Sequence, residues 1–102
     1  MTDKELLELA AKAAGIESNG VYGWRVEGSD VVWNPLTDDG DALRLAVKLG
    51  IYFLVVTEEN AISARIRNGP RCSWREPING DPYAATRRAI VRAAAEIGRS
   101  MK

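Results

Sequence analysis

The sequence predicts a single α+β domain in which helices pack on a mostly antiparallel sheet. Three observations point there. Apolar residues recur at helical spacing in three stretches, each opened by a capping residue. Between those stretches lie short runs that alternate in polarity or are wholly apolar, which read as strands. Tight turns of Gly, Asn and Asp join the runs into local hairpins, and hairpins pair antiparallel. The 102 residues are the size of one domain, and the order reads α-β-β-α-β-β-β-α.

The first helix is predicted over residues 3–14. Thr2 is a good N-cap, Glu5 stands three residues on, and Gly15 occupies the stop position. Leu6, Leu9, Ala10 and Ala13 form its apolar stripe, opposite Glu5, Glu8 and Lys12. A hairpin follows over residues 21–33. Tyr22, Trp24 and Val26 share one strand face, Glu27 to Asp30 supply turn chemistry, and Val31-Val32-Trp33 returns.

Pro35 keeps Asn34 out of a helix, and Thr37 to Asp41 start the second one with acids where the helix dipole favours them. Only Asp41, Arg44 and Lys48 interrupt its apolar run, so it reads as largely buried up to Gly50. Ile51 to Val56 is apolar on both faces, the pattern of an internal strand covered on both sides. After a polar turn at Thr57 to Asn60, Ile62, Ala64 and Ile66 point inward, while Ser63, Arg65 and Arg67 point out. Asn68-Gly69 signals a hairpin, and Arg71 to Arg75 form the return strand with Cys72 and Trp74 on one face. Asp81-Pro82 opens the third helix, which runs to about Arg99. Tyr83, Ile90, Ala94, Ile97 and Met101 are its expected buried side, and Arg88, Arg92, Glu96 and Arg99 its exposed one.

Composition narrows the chemistry. The chain is 46% hydrophobic and 27% charged with zero net charge, enough apolar content for an ordinary core. The charge is uneven: residues 1–60 hold five bases and eleven acids, residues 61–102 nine bases and three acids, leaving −6 and +6. Such an asymmetry either steers an anionic partner or is neutralised where the two halves pack.

No run approaches the length of a membrane span, and the opening residues lack a basic-then-apolar leader, so a cytoplasmic location is expected. One cysteine, Cys72, allows no internal disulfide and reads as a buried structural thiol. There is no histidine, which removes the commonest general base and most zinc sites. Asp38, Asp39 and Asp41 are the densest acidic group, and helix capping accounts for them without a metal. An enzyme is therefore not expected, and neither is a cofactor.

Arginines are the more suggestive feature. Arg65, Arg67, Arg71 and Arg75 fall on neighbouring strands, and Trp74 and Trp33 supply candidate stacking surfaces. Together they make a candidate anion- or nucleotide-binding site, set against the plainer reading of core tryptophans and solvated arginines. A sheet face this small makes a shallow pocket, so a homo-oligomer is expected to share it. No helix-turn-helix, zinc finger or aromatic RNA-binding signature is present, and overall neutrality disfavours nonspecific duplex binding.

The stretch Trp33-Asn34-Pro35-Leu36-Thr37-Asp38-Asp39-Gly40-Asp41-Ala42-Leu43-Arg44-Leu45-Ala46-Val47-Lys48-Leu49, with Asp81-Pro82-Tyr83-Ala84-Ala85-Thr86-Arg87-Arg88-Ala89-Ile90, resembles small accessory proteins of tailed phages and prophages. That group is described as a phage α-β-α sandwich domain, and the similarity runs from about Trp33 to Gly98. The resemblance implies phage origin, expression in a bacterial cytoplasm and no essential virion role, and it carries over no catalytic residue. Expected is a counter-defence binding protein that sequesters an anionic nucleotide-type host signal or docks on an acidic surface of a host defence protein. The alternatives are a nucleic-acid-associated accessory protein and a small carboxylate- and metal-dependent enzyme.

Overall fold

The computed structural model describes residues 2–16, 24–25, 32–67 and 73–101. Its elements are helix α1 (Asp3–Ala14), strands β1 (Trp24–Arg25) and β2 (Val32–Trp33), helix α2 (Asp39–Leu49), strands β3 (Ile51–Val56), β4 (Ala61–Ile66) and β5 (Ser73–Pro77), and helix α3 (Pro82–Ser100). The α+β class and the predicted order are both present. The turn of the first hairpin lies outside the described residues, while β1 and β2 pair antiparallel with Trp24 opposite Trp33.

The helix starts follow the sequence signals. The hydroxyl of Thr2 accepts the Glu5 N–H at 3.2 Å, and Asp81 accepts those of Tyr83 and Ala84. Asp38 caps α2 by accepting the Asp41 N–H at 2.8 Å. Asp41 is itself buried, and its other bonds explain the Trp33–Asp41 stretch. One carboxylate oxygen accepts the Asn34 N–H at 2.9 Å and the other accepts Arg44 at 2.8 Å. The Asn34 side chain accepts the Leu36 N–H, so the chain entering α2 is stitched to its first turn around the buried Pro35. Gly50 ends α2 at φ 69°, a left-handed turn that redirects the chain into β3.

The sheet is three-stranded and antiparallel, in the order β3-β4-β5. This corrects the expectation that Ile51–Val56 is internal. Hairpins flank β4 on both sides, so β4 takes the centre and β3 an edge. The N-terminal strands β1 and β2 pair with each other in a separate two-stranded sheet. Tyr52, Phe53, Leu54 and Val55 are consequently exposed, while Ala61 to Ala64 of β4 are buried.

α2 and α3 pack on one face of the sheet, and α1 packs on α3. Among the described residues this is a sheet with helices on one side. Because α3 lies between β4 and α1, its buried face is broad and built of Ala85, Ala89, Ile90, Val91 and Ala93 to Ala95. Gly98 lets α1 approach until a Cβ at that position would sit 1.9 Å from the Leu9 carbonyl oxygen. That close crossing turns Leu7, Ala11 and Ala14 into the core beside Leu6 and Ala10, where the expected stripe had Leu9 and Ala13.

Two further expectations change. Leu43 and Val47 of α2 are exposed, at 60% and 75%, although the helix reads as mostly buried. Tyr83, whose turn of α3 overhangs a groove, and Met101, the residue just past the end of α3, are also exposed.

Candidate functional site

The register decides which side chains share a face, since residues directly opposite in an antiparallel pair point the same way. Phe53, Val55 and Ile62 line a groove with Ile90 of α3, so they mark the helix-bearing face. The other face carries no helix among the described residues. Its rows are Tyr52–Arg65–Ser73, Leu54–Ser63–Arg75 and Val56–Ala61–Pro77. The central Ala61 and Ser63 are buried there, and the Ser63 hydroxyl has no hydrogen-bond partner among the described residues.

Arg65 and Arg67 both stand on this open face and are exposed. The Arg67 N–H donates to the Gly50 carbonyl at 2.7 Å, which extends the ladder past β4 and sets Arg67 about 7 Å along the strand from Arg65. Among the described residues neither takes part in an ion pair. Arg75 shares the face one row away and is paired with Glu59. Arg71 lies outside the described residues.

The tryptophans do not join this group. Trp74 pairs with Ala64, which places it on the helix-bearing face, half-buried beside Leu6, Arg92 and Ala95. Trp33 is 4% exposed and belongs to the core, so its ring presents no stacking surface. The aromatic residue on the arginine face is Tyr52, 45% exposed and directly opposite Arg65. The alternation of β3 places Tyr52 there, but the reading of β3 as internal hid it.

The helix-bearing face holds a different feature, a cavity of about 520 Å³ between α2, β3 and α3. Leu43, Phe53, Val55, Ile62, Tyr83 and Ile90 make its walls apolar. Arg87 at its rim bonds Asp39 at 2.6 Å and donates to the Leu36 carbonyl at 2.9 Å. The acid cluster is thus engaged throughout, with Asp38 capping α2, Asp39 holding Arg87, and Asp41 holding Asn34 and Arg44. No group of three His, Cys, Asp or Glu side chains converges as a metal site among the described residues.

Several ion pairs join the acidic first half of the chain to the basic second half. Arg87–Asp39, Arg88–Asp3 and Arg75–Glu59 are of this kind. They neutralise much of the charge asymmetry internally, and among the described residues of the second half they leave Arg65 and Arg67 without an ion pair. No helix among the described residues is long and apolar enough to cross a membrane. Comparisons with family models, curated proteins and solved structures find no match.

Proposed function

We propose that this chain is a non-enzymatic binding protein that captures an anionic, base-bearing small molecule on its open sheet face. The observation that carries the reading is Tyr52 opposite Arg65, with Arg67 beside them and no acid pairing either arginine among the described residues. Two guanidinium forks about 7 Å apart suit two phosphates, and an exposed tyrosine ring offers a stacking surface to a base. Leu54 extends the apolar part of the platform. The resemblance to phage accessory proteins sets the biological reading: capture of a host nucleotide signal in the bacterial cytoplasm, with counter-defence as the benefit to the phage.

Calorimetric titration with a cyclic dinucleotide, with ATP and with a single-stranded DNA oligonucleotide tests this. A nucleotide should bind, and R65A/R67A should weaken that binding at least tenfold with the melting temperature nearly unchanged. Y52A should weaken it severalfold. Failure of the wild type to bind either nucleotide, or normal binding by R65A/R67A, overturns the proposal. Binding of the oligonucleotide alone, with affinity falling steeply in salt, assigns the face to nucleic acid instead.

A further inference from the structure

We infer that β3 pairs with β3 of a second copy of this chain, joining two three-stranded sheets into one six-stranded sheet. Edge strands of folded proteins are ordinarily protected by charges, proline, bulges or a covering element. β3 has none of these in its sequence Ile51-Tyr52-Phe53-Leu54-Val55-Val56, and among the described residues nothing pairs with its outer side. A strand apolar on both faces and placed at an edge is a surface that wants cover.

The backbone defines the register. Because Gly50 accepts from Arg67, the alternate residues Tyr52, Leu54 and Val56 direct their N–H and C=O groups toward β4. Ile51, Phe53 and Val55 direct theirs to the open edge. A two-fold axis normal to the sheet keeps like faces together, so each residue must meet one of its own parity. Placing Phe53 opposite Phe53 of the second copy sets Ile51 opposite Val55. All three outward pairs then match, with about six hydrogen bonds at two per pair. Sliding the register by two residues leaves only two matched pairs.

The exposed side chains agree with that register. Leu43 lines the groove with Phe53 and Val55, and Val47 continues its stripe one turn along α2, so the exposed apolar residues of helix and strand adjoin. On the helix-bearing side the exposed parts of Leu43, Val47, Phe53 and Val55 come to on the order of 400 Å² per protomer. Doubled, and with the strand backbone added, this reaches roughly the 1,000 Å² that a specific interface needs. On the open face the same register sets Tyr52 opposite Leu54 of the second copy. Each composite row then runs from Arg65 through an apolar centre to Arg75 of the second copy, giving one continuous platform.

Sedimentation equilibrium of the wild type at about 10–100 μM should show a dimer, twice 11.2 kDa. Phe53→Lys and, separately, Phe53→Pro should weaken dimerisation at least tenfold. Phe53→Pro removes a donor only from the outer edge and leaves the β3–β4 ladder intact. In a Cys72→Ser background, Phe53→Cys should oxidise to a disulfide-linked dimer, since opposed strand residues lie within disulfide reach, whereas Leu54→Cys should not. A monomeric wild type, a dimer indifferent to both Phe53 substitutions, or equal cross-linking at positions 53 and 54 overturns the inference. The assays need no ligand, so they are read independently of nucleotide binding.

Discussion

Substituting Gly98 by Ala tests the arrangement of the helices through the sign of its effect. In a helix that faces solvent or a loose interface, Gly→Ala stabilises by about 1 kcal/mol, because alanine loses less backbone freedom on folding. At Gly98 the new methyl would stand 1.9 Å from the Leu9 carbonyl oxygen and 2.7 Å from its carbon. Ordinary contact begins near 3.4 Å, so the backbones of α1 and α3 must part by about 1.5 Å at the crossing. Neither obstructing atom belongs to a flexible side chain, and Leu6, Leu7, Ala10, Ala11 and Ala14 would lose close packing together. Overpacking of this severity costs about 3 kcal/mol or more, which exceeds the propensity gain and leaves a net loss near 2 kcal/mol. At about 4–8 °C per kcal/mol for a domain of this size, the melting temperature should fall by roughly 8–16 °C. Far-ultraviolet circular dichroism during thermal and urea unfolding reads this directly. A Gly98→Ala protein as stable as the wild type, or more stable, would refute the close crossing of α1 and α3.

Three further substitutions separate structural from surface roles. Leu45→Ala should cost about 2–5 kcal/mol by urea unfolding, since Leu45 is buried in the core, while Phe53→Ala should cost much less at low protein concentration and act chiefly on self-association. Asp41→Ala should cost about 2–3 kcal/mol, because it strands the Asn34 N–H and removes the Arg44 partner at a buried carboxylate. Ser63→Ala should leave stability unchanged or raise it by up to about 1 kcal/mol, since the buried hydroxyl has no hydrogen-bond partner among the described residues. A loss above about 1 kcal/mol in chemical denaturation would mean that the Ser63 hydroxyl is satisfied.

The candidate anion site was legible in part. Alternation along β4 is a local property of the backbone, so the projection of Arg65 and Arg67 to one face followed from their spacing alone. Their lack of acid partners among the described residues did not, because Glu59 and Asp39 choose Arg75 and Arg87 only once strands and helices have packed. Of the two readings of the tryptophans, core or stacking surface, tertiary packing chose the core for Trp33. Trp74 has the face opposite to the arginines, and whether a strand face is open or covered depends on where the helices settle.

What the amino-acid sequence determined by itself is everything that depends on neighbours a few residues away. It set the three helices with their caps at Thr2, Asp38 and Asp81, the stops at Gly15 and Gly50, and the antiparallel pairing that short turns enforce. Tertiary structure alone decided strand order, and with it which apolar residues are buried. Ile51–Val56 has the composition of a central strand, yet it occupies the edge because β4 has hairpin partners on both sides. Leu43 and Val47 are as apolar as Leu45, yet they face outward because α2 meets the sheet along a single stripe. Hydrophobicity states which side chains favour burial, while the geometry of long-range packing allots the limited interior among them.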